Sequence, residues 1–476
     1  MKSRLKILFT LLILSAVCYA EELPVLYVNF PAKALNNDEY IQGEMRLVTP
    51  DGGVIELPAC FKTRGATALQ YSMKPSFNMK LRDADDNELD TNLLDLREAS
   101  SFILDAMAID RICMRNRVCF DIWNAFSRLP YKSDFGSRNG TVGKFVEVYM
   151  NDEYKGIYCL SDKINRKLLD LKKPQEENGN VTIRGVLYKN GTTDIADQNT
   201  PGFYNDMMVC VARWHDAWEL HEPEDYPCEE VWQPLLDYYD NNTDYSYVSA
   251  HFFEENLVDY TLFVMALSLA DNWGAKNKYF SIRNIQEEGD KSKFVITPWD
   301  LDTSLGGDYN GSLYDGNYSN WAIKDIVSAA NSPFSTCLPQ EGFKASLKKR
   351  WQEIRKTSLS VDSVAGRMYD YCTLFTESGA WKRYIDYWDA KSSRPRYVSD
   401  LKAEVDLIVE WYRERFMQMD AYFGVDESSL STVEVADDSF SEEYYNIQGV
   451  RVDRDKLSPG LYIVRKGDSV SKVVQR

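Results

Sequence analysis

Histidine is scarce in this chain of 476 residues: His215, His221 and His251 are the only three, and they form no HExxH pattern, which excludes that class of zinc hydrolase. Cysteine occurs nine times but never as CxxC, and its wide, irregular spacing excludes a zinc ribbon. Basic side chains are in deficit, 55 Lys and Arg against 73 Asp and Glu, for a formal charge of -18. That balance argues against a nucleic-acid or anionic-membrane partner, either of which needs a basic face. Long apolar runs are missing after residue 20, and none approaches the ~20 residues needed to cross a bilayer.

What is present begins with residues 1–20, which read as a secretory signal: basic Lys2, Arg4 and Lys6, an apolar run over 7–17, then Cys18, Tyr19 and Ala20 before Glu21. Cys18 as a lipid-attachment site is disfavoured because Val17 stands where a small residue is expected. The expectation is an exported protein, secreted or held in the periplasm or at the cell surface, with no transmembrane segment left once the signal is removed. Removal would make the mature chain three units more acidic and leave eight cysteines. Export permits disulfides, but isolated buried thiols are equally compatible with the spacing.

The stretch over residues 251–302 organises the chain. Phe253, Leu257, Tyr260, Phe263, Val264 and Leu267 recur at spacings of three and four, which predicts a largely buried helix ending near Ala270. Residues 278–282 and 293–296 read as short strands around a polar turn at 287–290. Polar groups stand where each apolar element ends: Asp271, Asn272 and Asn277 after the helix, Asp300 and Asp302 after the second strand. Mg²⁺ prefers hard oxygen ligands and takes one or two carboxylates, leaving room for water and phosphate. Asp300, Asp302 and the Asn277 carbonyl offer such a set, with Asp271 left to accept a proton from, or orient, an attacking hydroxyl. The same acids could instead only cap and terminate the elements.

DNWGAKNKYF followed by PWDLD resembles the signature of the CotH family, the spore-coat-protein-H-like atypical kinases. FKTRGATALQYSMKPSFNMKL (61–81), DRICMRNRVCFDIW (110–123) and FVEVYMNDEYKGIYCLSDKI (145–164) agree with it, in the family's order. The resemblance implies an α+β, protein-kinase-like two-lobed fold over 21–423, with an N-terminal antiparallel sheet lobe (about 21–170) and a C-terminal helical lobe (about 200–423). It also implies transfer of the ATP γ-phosphoryl group to a protein Ser or Thr hydroxyl, with Mg²⁺ or Mn²⁺ as the metal. Asp271 would be catalytic; Asn277, Asp300 and Asp302 would hold or support the metal. Lys80 is the first choice for the phosphate-binding lysine and Lys74 the second, while Arg64 offers a two-pronged anion contact. Family members tend to carry Glu where this chain has Asp162, one methylene short for an ion pair to Lys80. Arg115 and Asn116 match a polar pair in the family and are read as tying their helix to the sheet. Neither a GxGxxG loop nor an HRD or DFG triplet is present, so nucleotide binding rests on the resemblance.

Elsewhere, residues 23–30 read as a first strand, 44–48 and 54–57 as a hairpin, 110–128 as a helix and 144–161 as a second hairpin. Residues 172–200 read as a loop and short-strand excursion on the surface. Trp214, Trp218 and Trp232, with His215 and His221, suggest either an aromatic platform for a peptide or sugar or ordinary packing, and packing is favoured. Residues 306–320 resemble a loop beside the site; helices follow over 342–359, 362–376 and 398–422. Residues 424–443 read as a linker, and 444–476 resemble a small β module of secreted bacterial proteins that serves sorting or attachment. Two rival functions stay open: a catalytically inactive kinase-like surface protein binding a host or envelope ligand, and a metal-dependent phosphoester hydrolase.

Overall fold

The protein is described from a computed structural model that covers residues 22–31, 39–65, 74–131, 138–190, 202–205, 208–211, 216–226, 228–269, 272, 278–307, 322–392 and 394–425, together with four strands beyond residue 442. The chain divides into two compact units, residues 1–423 and 424–476.

The first unit opens with β1 (Val25–Asn29), β2 (Ile41–Val48), β3 (Val54–Arg64), β4 (Ser76–Leu81) and β5 (Ser101–Asp105), then α1 (Arg115–Phe126), β6 (Gly143–Met150) and β7 (Glu153–Asp162). Buried and solvated residues alternate along β1 and β4, as the period of two demands. The buried set, including Leu26, Phe61, Phe77, Leu104, Val148 and Tyr158, fills one common core. An Asn151-Asp152 turn with positive φ at both residues (47° and 66°) joins β6 to β7, the conformation that matches strand twist in a tight hairpin.

The expected open sheet lobe is not what forms. The seven strands close into a barrel in the order β1-β2-β3-β4-β5-β7-β6, sealed by a parallel pairing of β1 with β6. Apolar side chains on the inner face of every strand make closure favourable, since it buries that face all round and leaves no edge unpaired.

The helical lobe is also corrected. Strands β8 (Gln175–Glu177) and β9 (Asn180–Thr182) make a small hairpin, and β10 (Val186–Asn190), β11 (Gly202–Asn205), β12 (Met208–Val211), β13 (Asp216–Glu222), β14 (Lys278–Ile282) and β15 (Val295–Pro298) follow. The last six form an antiparallel sheet in the order β11-β12-β13-β10-β14-β15. Residues 186–190, expected in a surface excursion, are therefore an inner strand and almost wholly buried. The helices α2 (Glu229–Asn241), α3 (Tyr245–His251), α4 (Glu254–Leu267), α5 (Ile323–Ser328), α6 (Phe334–Cys337), α7 (Glu341–Ile354), α8 (Val361–Glu377), α9 (Ala380–Asp389) and α10 (Leu401–Phe423) bring the described total to ten. The unit is mixed α+β, a barrel plus a second sheet with helices, rather than a sheet lobe followed by a helical one.

Helix α4 is buried along nearly its whole length, as its apolar crowding requires. It stops at Leu267, before the expected Ala270, because Ser268 turns left-handed (φ 55°). Trp218 donates to Tyr239 Oη at 2.7 Å and Trp232 stacks on Tyr188 at 5.6 Å, so these two tryptophans are packing groups; Trp214 and His215 lie outside the described residues. Among the described residues seven cysteines, including the buried Cys113, Cys119 and Cys159, are free thiols. No helix among the described residues is long and apolar enough to cross a membrane. The predicted signal and most of residues 306–320 fall outside the described residues.

The second unit contains β16 (Glu443–Asn446), β17 (Arg451–Val452), β18 (Gly460–Lys466) and β19 (Ser469–Gln475). They form an antiparallel sheet in the order β17-β16-β18-β19.

Candidate functional site

Strand β15 ends at Pro298 and delivers Trp299 to Asp302 against the outer wall of the barrel. Several contacts hold that segment, three of them tying it to distant elements. The Arg64 guanidinium, at the end of β3, lies 4.5 Å from the centre of the Trp299 ring, a stacked cation–π pair. Asn272 Nδ2 donates to the Trp299 carbonyl at 2.6 Å, joining the chain just past α4 to the chain just past β15. The Leu301 N–H reaches Asn116 Oδ1 at 3.3 Å, and Asn116 Nδ2 donates to Asp105 Oδ2 at 2.8 Å. Asn116, on α1, thus ties its helix both to the end of β5 and to the acidic segment.

Asp105 also accepts from Ser76 Oγ at 3.2 Å and from the Met107 N–H at 3.1 Å. Asp110 is held by the Met114 and Arg115 N–H groups, both at 2.8 Å, and by the Arg115 side chain, an anion at the start of α1 where the helix field favours it. Asp300 is exposed and left-handed, φ 56°. Asp302 Oδ1 is buried with no hydrogen-bond partner among the described residues. Burial raises the Asp302 pKa well above the usual carboxylate range; Asp105, Asp300 and Asp110 raise it further and Arg115 opposes them. A buried carboxylate oxygen lacking a donor, beside other acids, is what a hard cation would relieve. No group of three or more His, Cys, Asp or Glu among the described residues is itself spaced to hold a metal ion.

The remaining predicted residues separate. Asp271 and Asn277 lie outside the described residues. Lys74 is fully buried and its ammonium donates to the carbonyls of Ala106 (2.6 Å) and Ile157 (2.5 Å), over the rings of Tyr158 and Tyr384. Lys80 is on the barrel's outer face, 3.6 Å from Glu88 and 4.9 Å from the Tyr40 ring centre. Four residues of strand, roughly 13 Å, separate Lys80 from Ser76, the β4 residue that touches Asp105. Asp162 is paired across the sheet with Phe102 and so faces inward, whereas Lys80 is opposite Ser101 on the outer face. Asp162 accepts from the Val142 N–H at 2.8 Å and lies 3.8 Å from Arg97; burial raises its pKa.

Lys80 instead lines a cleft of about 450 Å³ between the barrel wall and the end of β13. Asp105 and Trp299 are not singled out by the sequence, and Asn272 appears there only among the polar groups that follow the helix. Asp105 had a legible signal, because it ends the apolar strand SFILD as Asp300 follows the apolar strand VITP.

A family model described as CotH kinase protein matches residues 61–419. The chain belongs to the CotH kinase family. No curated protein matches the chain. The CotH kinase match begins inside β3 and ends in α10, so it takes in Arg64, the acidic segment and the cleft-lining residues together. Among the described strands of the first unit, β1, β2 and the opening of β3 lie before it.

Proposed function

We propose that this CotH kinase family member is an exported atypical kinase that transfers the γ-phosphoryl group of ATP to a protein Ser or Thr hydroxyl. The observation that carries the reading is the Asn272 to Trp299 hydrogen bond, which joins the residue after Asp271 to the residue before Asp300. The two oxygen-bearing positions are 29 apart in sequence, and each adjoins one end of that hydrogen bond. Lys278 pairs with Pro298 in the sheet, so Asn277 precedes a strand end that is level with the start of the acidic segment.

Asp300 and Asn277 would hold Mg²⁺, and the Asp302 oxygen that lacks a hydrogen-bond partner among the described residues would support it. The ion supplies charge neutralisation on phosphate oxygens when bound. Asp271 accepts the hydroxyl proton or orients the hydroxyl. Arg64, held against the Trp299 ring, would offer its guanidinium to phosphate oxygens. Asn116 positions the Leu301 backbone between the two neighbouring acids and exerts its effect through them. An oxygen-rich corner of this kind is suited to phosphoryl transfer, where positioning and charge stabilisation carry most of the rate.

Label transfer from γ-labelled ATP to a casein-like acceptor, run on wild type, Asp271→Ala and Asp300→Ala, tests the proposal. Wild type should transfer label and both variants should lose at least ~100-fold. Undiminished transfer by Asp300→Ala rejects the metal assignment. Absence of both transfer and a nucleotide-dependent thermal shift in wild type would favour the catalytically inactive binding protein.

A further inference from the structure

The cleft beside Lys80 draws on three distant parts of the chain: β4 and β5 of the barrel, the segment leaving β7, and the end of β13. Lys80, Ser101, Lys163, Arg166, His221 and Tyr226 line it. In a chain of net charge -18, cations gathered in one concavity stand out. Lys80 has Glu88 as an ion-pair partner and Lys167 has Asp90. Lys163 is different: among the described residues no carboxylate lies within ion-pair distance of its ammonium. Burial lowers its pKa; Glu224 and Glu222 favour its charge while Arg64 and Lys80 oppose it.

We propose that this cleft binds a phosphate-bearing small molecule and that the Lys163 ammonium is the contact that anchors it. A half-buried ammonium with no ion-pair partner among the described residues is costly to keep in this position, and a multiply charged anion would supply one. Lys80, on the same cleft wall, lies close enough to act on Lys163 electrostatically, so an anion placed between the two relieves their mutual repulsion. Lysine serves phosphate as a point charge and needs no fixed fork geometry, which suits side chains converging from separate elements.

The cleft also carries acids: Glu88, Glu222, Glu224 and Asp225. Glu222 is engaged by the Arg166 N–H at 3.0 Å, and the others line the same cleft, where they would disfavour a ligand that is anionic throughout. The fit is to a molecule with phosphate at one end and hydrogen-bond donors at the other, and the volume falls in the range of about 300–1,000 Å³ usual for small-ligand sites. Naming that molecule as the donor nucleotide rests on the kinase reading; the anion site itself does not.

Calorimetric titration of the full chain with ATP, with and without Mg²⁺, and with inorganic pyrophosphate tests the proposal on wild type, Lys163→Gln and Lys163→Arg, with Lys382→Gln, at an exposed position of α9, as control. Wild type and the control should bind ATP, Lys163→Gln should bind at least ~10-fold more weakly, and Lys163→Arg should recover most of the affinity. A footprint on the wild-type chain guards against misfolding of the variants: bound ATP should slow acetylation of Lys163 severalfold and leave Lys382 unchanged. Unchanged ATP affinity in Lys163→Gln, with no protection of Lys163, overturns the cleft assignment while leaving the kinase reading standing. Pyrophosphate binding through Lys163 without ATP binding upholds the anion site and removes the kinase reading. Failure of wild type to bind either compound overturns the proposal.

Discussion

Lys74 shows how a single residue type can serve opposite ends. Its ammonium is sealed between two backbone carbonyls and two tyrosine rings, and burial lowers its pKa from 10.5 to about 8, against the opposing influence of Cys113, Asp105 and Asp110. A lysine depressed in the folded chain sheds its proton before the unfolded chain does. Between pH 8 and 10.5 the unfolded state therefore binds more protons, and stability rises with pH across that window. Lys74→Met should lack this rise. Relative to the variant, wild type should gain about 2 kcal/mol between pH 7.5 and 9.5 in urea unfolding; parallel pH profiles would show that the buried amine does not titrate.

Asp302 is the other residue whose setting was hidden in the sequence. Spacing grouped it with Asp300, and the two do influence each other, but one is exposed and the other has a buried oxygen. The difference arises because Asp300 takes a left-handed backbone, which turns the chain between them. Alternation along an extended strand would have put both on the same side.

Among elements, the contact of β7 with α9 leaves no spare room. Gly156 has φ 94°, and a Cβ there would lie 2.3 Å from Tyr384 Cδ2. Gly156→Ala combines a strained backbone with overpacking and should cost about 2–4 kcal/mol; a denaturation midpoint within experimental error of wild type would refute the close approach. Around Asp259 on α4, Arg128 donates twice at 2.9 Å and Arg350 of α7 once at 2.8 Å. Arg350 also reaches the Phe126 carbonyl at the end of α1 at 2.7 Å. One buried carboxylate therefore fastens three helices. Asp259→Ala leaves two guanidinium groups facing one another and should lose about 3–5 kcal/mol, read as a lower urea midpoint, with far less loss on Arg128→Lys.

These elements were mostly legible one by one. The crowding of apolar residues predicted α4, and period-two alternation predicted β1 and the hairpin β6–β7. The boundaries moved where a backbone conformation intervened, as at Ser268. Residues 186–190 were misread because they stand among Asn, Gly and Thr; their burial depends on β13 and β14 lying on either side.

For the whole molecule, the barrel and the second sheet share buried ties. Asn256 on α4 pairs with the backbone of Ile296 in β15, at 2.7 and 3.1 Å, and Asn139, just before β6, donates to the same carbonyl at 3.0 Å. None of the eleven tryptophans lies on a barrel strand, so tryptophan fluorescence follows the rest of the first unit while far-UV circular dichroism follows both parts. Coincident urea transitions by the two probes are expected. An earlier dichroism transition with unchanged fluorescence would mean that the barrel unfolds by itself.

From residue order alone came the presence of both helices and strands and membership of the CotH kinase family, because these depend on local periodicity and on motifs a few residues long. Tertiary structure decided that the first sheet closes, since the β1–β6 pairing joins strands more than a hundred residues apart, a contact no local pattern encodes. It also decided that Arg64 stands at the acidic corner while Lys80 faces a separate cleft with Lys163 and His221. Strand register determines which residues share a wall, and register is settled only when both faces of the barrel have found what they pack against.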